Sequence, residues 1–232
     1  MKSLIYFILV SLLVFTSCKK DSNPTSPTEE ASNPTTPDTS PTITYSGKVY
    51  HTVKIGSQTW MKENLDVGVM IHGTANASDN GVIEKYCYGN DTANCNKYGG
   101  LYQWSEAMAY DTANGAKGIC PTGWHIPTKA EFDTLAIEEN YNGNALKAIG
   151  QGKGSGAGTD SSGFFALLAG YRSTDSTFIH LDDYTTFWSS TERSAAYYPT
   201  LAWDVALWYT DSGISMYTNN KEYGFSIRCI KD

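Results

Sequence analysis

Apolar and polar positions change their spacing several times along this chain, and the changes divide it. Residues 4–15 are apolar or aromatic at every position except Ser11, and residues 19–43 hold almost no apolar side chain. After that, apolar residues return in short patterned runs. The spacing in 49–55 and 59–65 predicts two strands joined across Gly56-Ser57, a glycine-first turn that matches strand twist. Residues 72–99 read as loop. In 100–110, Leu101, Trp104, Ala107 and Met108 recur at helical spacing and predict a first helix. A second is predicted over 129–139, where Thr128 and Glu131 stand three apart as a capping box and Phe132, Leu135 and Ala136 form one apolar stripe. Residues 145–149 predict a further turn or two, and Trp124 and Ile126 a short extended segment facing the same core. From 164 onward the period becomes that of strands: 164–171, 177–181, 185–190, 201–209, 213–218 and 224–230, bounded by Gly, Asp and Asn. Helices early and strands late define an α+β fold.

The first apolar run is preceded by Lys2, is too short to span a bilayer, and ends in Thr16-Ser17-Cys18. Residues 1–17 therefore read as a signal peptide. The small residues before Cys18 resemble the lipobox of bacterial lipoproteins, with Phe15 where Leu is usual. That resemblance implies cleavage before Cys18 and acylation of the new terminus, palmitate included, and more than one acyl chain gives stable anchoring. Residues 18–43 carry five of the chain's eight prolines among Ser, Thr and acids. Such a stretch cannot bury enough surface to fold and favours extended conformers, so it reads as a spacer of tens of ångströms at roughly 3 Å per residue. The remainder, 44–232, is one domain in size and carries most of the net charge of −7. That balance excludes a nucleic-acid footprint and leaves membrane association to the acyl anchor.

Five cysteines become four once Cys18 is assigned to lipid, an even number in an oxidising compartment. Three pairings are possible. The favoured one joins Cys87 to Cys95 across an Asn-Asp-rich loop and Cys120 to Cys229 across most of the domain. Paired C-x-x-C spacing is absent and the four histidines are scattered, so disulfides are preferred to a metal site and no cofactor is expected.

Five motifs then occur in order: Gly99 to Trp104, Cys120 to Thr128, Gly163 to Arg172, Phe187 to Glu192 and Gly224 to Cys229. Together they closely resemble the Fibrobacter succinogenes major paralogous (FISUMP) domain of bacterial surface lipoproteins, with Leu168-Ala169 where Pro-Gly is expected. The resemblance implies an outer-membrane, lipid-anchored protein facing the cell surface. More distantly, His125 to Phe132 and Gly224 to Arg228 resemble the C-type-lectin-like fold of formylglycine-generating enzymes. That resemblance implies two helices packed on a twisted, mainly antiparallel sheet, with long loops forming the binding face. A fold of this kind hosts oxidases, sugar binders and protein binders alike.

An oxidase of the formylglycine-generating type needs two thiols near the C-terminus, where only Cys229 stands. No Gly-x-Ser-x-Gly elbow supports a hydrolase, and the glycines at 150, 152, 154, 156 and 158 read as a flexible surface loop rather than a phosphate cradle. Asp160, Asp175, Asp182, Asp183, Asp204 and Asp211 read as solvated turn carboxylates rather than calcium ligands. The aromatics carry the binding expectation. Tyr197, Tyr198, Trp203, Trp208, Tyr209 and Tyr217, with Asp204 among them, are the candidate ligand residues. Strand alternation puts Trp203, Val205, Leu207 and Tyr209 on one side and Ala202, Asp204, Ala206 and Trp208 on the other, and one of those sides is expected to be exposed. Trp188 is assigned to the core. The expected protein is a non-catalytic surface module for a glycan or a partner protein of envelope or host. An envelope scaffold is the alternative.

Overall fold

The computed structural model of the protein describes residues 38–194 and 196–232. The signal segment 1–17, the lipidation candidate Cys18 and most of the spacer lie outside the described residues. Strands β1 (Thr42–Tyr45), β2 (Lys48–Ile55) and β3 (Gln58–Met61) form an antiparallel meander. Ser46 and Gly47 make its first turn, both at positive φ, and Gly56 opens its second at φ +56°. The compact unit begins at Thr39 and β1 at Thr42, so the fold starts inside the stretch assigned to the spacer rather than at residue 44.

Next come the parallel pair β4 (Val69–Met70) and β5 (Glu84–Lys85), then α1 (Thr92–Tyr98), β6 (Leu101–Tyr102) and α2 (Trp104–Ala107). Strand β7 (Trp124–His125), α3 (Lys129–Glu138) and α4 (Gly143–Leu146) follow. The second half holds β8 (Ala169–Arg172), β9 (Phe178–Leu181), β10 (Tyr184–Glu192), β11 (Leu201–Trp208), β12 (Ser215–Asn220), β13 (Phe225–Ser226) and β14 (Ile230–Lys231). One sheet runs β1-β2-β3-β14-β7 and the larger one β12-β11-β10-β13-β6, with β8 on β10 and β9 on β8. The protein is α+β with most of its regular structure in strands, mainly antiparallel.

The predicted helix over 129–139 forms as α3. Thr128 accepts from the Glu131 amide, the Glu131 carboxylate takes the Thr128 amide, and Phe132, Leu135 and Ala136 are buried. The predicted first helix over 100–110 does not form as one element. Leu101 and Tyr102 instead pair with β13, and only Trp104–Ala107 is helical, ending where Ala109 and Tyr110 take positive φ. Tyr102 donates its hydroxyl to the Val67 carbonyl and Trp104 its indole N–H to Ser189, so long-range burial overrides helical spacing here. Among the described residues the domain thus has one ten-residue helix, not two of comparable length. Within the predicted loop 72–99 lies α1, capped by the Asp91 carboxylate on the Ala93 amide.

Two predicted strands change. Of 164–171 only Ala169 onward is strand, because Ala166 bonds to Leu146 and Ala148, and the Leu168 amide to the Gln151 side chain. The run 224–230 divides into β13 and β14, in different sheets. Between them Arg228 turns fully inward, donating to Asn64 Oδ1 and the Phe164 carbonyl with its plane over the Phe164 ring.

Two hydrophobic clusters flank this crossing. The first gathers Met61, Tyr102, Trp104, Trp124, Trp188 and Ile227 around Cys120 and Cys229. The second packs Phe132 and Leu135 of α3 against Trp60, Phe164, Phe187 and Val205. Both favoured disulfides are present, Cys87–Cys95 and Cys120–Cys229. The glycine loop is not free: Lys153 donates to the Tyr209 carbonyl and Ser155 to that of Thr210, and a Cβ on Gly156 would meet the Tyr209 carbonyl at 2.4 Å.

Candidate functional site

Register across β10, β11 and β12 decides which side chains share a face. Tyr184 stands opposite Trp208, Trp188 opposite Asp204, and Asp204 opposite Tyr217. Alternation then carries Thr186 of β10 and Asn219 of β12 to the same side. Strand β11 is interior on both sides. Trp203, Val205 and Leu207 face the other way, where Val205 and Leu207 join the α3 cluster. The expectation of one exposed side fails because cores pack against both.

Where this face meets β8 and the turn before β13, six residues enclose a pocket of about 90 Å³: Tyr171, Tyr184, Trp208, Asn219, Tyr223 and Phe225. The rings hold one another in place. Tyr184 and Trp208 lie 4.2 Å apart between centroids, Tyr171 meets Tyr184 and Tyr223 edge-on at 5.7 Å, and Tyr223 stacks on Phe225 at 5.4 Å. His180 stands edge-on to Trp208 at 5.8 Å.

Below Asn219 lies Asp204, 0% exposed. Its Oδ2 accepts from the Thr186 hydroxyl at 2.8 Å and its Oδ1 from Asn219 Nδ2 at 2.8 Å. Burial raises its pKa to about 6, against the two hydrogen bonds that favour the ionised form. Burial also raises the Tyr184 hydroxyl, with Asp204 adding to the effect. The expectation that the second-half aspartates are solvated turn carboxylates therefore fails for Asp204, which sits mid-strand. It holds for Asp175 and Asp211, which cap Thr177 and Gly213.

The seven residues singled out from sequence do not form one site. Trp208 lines the pocket, Asp204 lies under it, and Tyr217 is 43% exposed on the same face. Trp203 lies on the opposite face beneath the Lys129 ammonium, and Tyr209 is covered by Lys153 of the glycine loop. Tyr197 and Tyr198, 81% and 46% exposed, belong to the β10–β11 connection, where Arg193 lies over Tyr198. Tyr171, Tyr184, Asn219, Tyr223 and Phe225 were missed. Tyr171 and Phe225 stood inside the ordered motifs, and such positions are as readily structural as functional.

A wider cavity of about 170 Å³ opens beside β2, α1 and Phe165, with Lys48, Glu63, Asp66 and Lys97 in its wall. Its charges are largely satisfied internally. Asp66 is held between the ammonium groups of Lys48 and Lys85, and Lys97 donates to the Tyr98 hydroxyl. The aromatic pocket is smaller, but its rings are held by one another and its one amide is oriented by the buried Asp204, an arrangement that suits a small ligand. Among the described residues no cluster of three or more His, Cys, Asp or Glu is arranged to hold a metal ion.

Fold, disulfides and pocket together describe a cross-linked α+β domain with a small aromatic recess on its larger sheet. The sequence model of the Fibrobacter succinogenes major domain matches residues 53–231. The chain belongs to that family. No curated protein and no solved structure matches it.

Proposed function

We propose that this chain is a non-catalytic, C-type-lectin-like binding module that takes a glycan in the Trp208 pocket. In this reading an acyl anchor on Cys18 and the proline-rich spacer hold it at the outer membrane of a bacterial envelope, facing the cell surface. The observation that carries the reading is a narrow recess of flat rings with one amide, Asn219, in its wall and one carboxylate, Asp204, behind it. Rigid rings stack on the C–H face of a sugar at little entropic cost, while a fixed amide orients the hydroxyls. A wide flat apolar patch would instead favour an envelope protein as partner. Binding without cleavage is the reading this lining favours: glycoside hydrolysis uses two carboxyl groups flanking the bond, and the six lining residues include no acid, Asp204 lying buried behind them.

A glycan array of the disulfide-bonded chain beside Trp208→Ala tests this. Saturable binding is expected, reduced by roughly tenfold or more in the variant and unchanged in Tyr197→Ala. Absence of binding by a folded chain would reject the glycan reading and turn the search to envelope proteins by pull-down.

A further inference from the structure

The polar groups around the pocket are not neutral in what they can accept. An ionised carboxylate only accepts hydrogen bonds, so Asp204 fixes the orientation of the Asn219 amide. Nδ2 donates one of its two hydrogens to Asp204 Oδ1 at 2.8 Å, and Asn219 Oδ1, which takes no protein donor among the described residues, is the acceptor the amide offers a ligand beside the second Nδ2 hydrogen. The pocket wall therefore presents an acceptor. The rings add to this preference, because their faces carry the negative side of the aromatic quadrupole. No Lys or Arg lines the pocket, and His180 is the one basic side chain among the ring contacts of Trp208 and Tyr184. Ring faces, an oriented amide oxygen and a buried carboxylate one hydrogen bond behind it all favour positive charge.

We propose that the pocket selects sugars bearing a free, protonated amino group, which donates to Asn219 Oδ1 while the ring face packs on Trp208. This rests on the glycan reading above. Asp204 acts as a positioning residue: it does not touch the sugar, but it sets the amide and supplies the balancing charge. The ligand class is thus amino sugars with unacetylated nitrogen, in preference to their acetylated or hydroxyl counterparts.

Ligand-observed NMR titration of the full chain at pH 6.8, where the amino sugar is mostly protonated and Asp204 mostly ionised, with methyl glucosaminide, methyl N-acetylglucosaminide and methyl glucoside tests this. The charged sugar is expected to bind on the order of tenfold more tightly. Asp204→Asn, nearly isosteric, and Asn219→Ala are each expected to bring the three sugars to similar affinity, whereas Trp208→Ala weakens all three. Equal binding of the three sugars by the unaltered chain, still lost in Trp208→Ala, would overturn amine selection and leave the glycan reading standing. An amine preference that survives both Asp204→Asn and Asn219→Ala would overturn the assignment to these residues. No binding of any sugar by the folded chain would overturn both.

Discussion

A carboxylate buried as completely as Asp204 costs stability, and its pKa says at which pH. Its folded value, about 6, lies above the ordinary 3.8. The native state therefore holds its proton more firmly than the unfolded chain. Stability from that proton is fully present below about pH 4 and is lost as pH rises through about 6. At 1.36 kcal/mol per pKa unit the loss is about 3 kcal/mol. The groups facing Asp204 are Trp188, Thr186 and Tyr184 from β10 and Asn219 and Tyr217 from β12, none of them cationic. Urea midpoints at pH 4.5 and 7.5 are expected to fall with pH in the unaltered chain and to fall clearly less in Asp204→Asn, where the titration of His125 remains. An equal fall in both would show that Asp204 is not the group responsible. A cost of this kind, one residue behind the pocket wall, supports the proposed role of Asp204 in binding. Arg228 is the contrasting case, a buried charge that serves the fold. It is 1% exposed, lies over Phe164, and bonds Asn64 through two nitrogens. Lysine keeps the charge and loses the planar fork, so Arg228→Lys should cost about 3 kcal/mol in chemical denaturation.

At the scale of elements, α3 is the one whose start could be read directly from sequence. Thr128 and Glu131 define its cap, and removing the hydroxyl in Thr128→Ala should cost about 1 kcal/mol. The structure adds a partner that spacing could not give. His125 of β7 bonds Glu131 Oε1 at 2.9 Å and Asp232 Oδ1 at 2.7 Å, tying helix start to chain end. Its pKa is raised first by Glu131 and then by Asp232, against the opposing effect of burial. A raised histidine stabilises the fold below its ordinary pKa near 6.5, and that contribution is lost as pH climbs through the folded value. His125→Gln should remove the part of the decline in melting temperature that lies above about pH 6.5 and leave the part due to Asp204; an unchanged decline there would exclude the triad as its source. Elsewhere the elements show the limits of periodicity. The helical spacing of Leu101 and Trp104 was real, yet Tyr102 was drawn into a sheet by β13. The strand pattern of 224–230 was also real, but the chain leaves one sheet for the other between Ser226 and Ile230, where Arg228 is buried.

For the whole molecule, the two disulfides should differ in weight. Cys120–Cys229 closes a loop with sequence separation 109 and joins the segment leading into β7 to the segment leading into β14, whereas Cys87–Cys95 closes one of 8. In the chain-entropy model these contribute about 5 and about 2.5 kcal/mol respectively. Replacing both members of the long-loop pair by alanine should therefore lower the urea midpoint about twice as far as the same change at Cys87 and Cys95. Equal effects would mean that native packing, not the unfolded chain, sets their worth.

Local order was legible in the residues alone. The α+β class, the capped helix, the Gly56 hairpin and the family were all written in neighbouring side chains or in ordered motifs, because turns, caps and periodicity act over a few residues; the pairing of Cys120 with Cys229, 109 apart, was one of three possibilities that only the fold decided. The pocket was written only in part. Trp208 and Asp204 stood out as an aromatic and an acid on one strand, but their faces depended on what packed on either side of β11. Tyr171, Asn219 and Tyr223 reach Trp208 from separate elements, and no local spacing encodes that meeting. It is decided by sheet order and register, which hydrophobic burial on both faces of β11 settles only when the whole chain has folded.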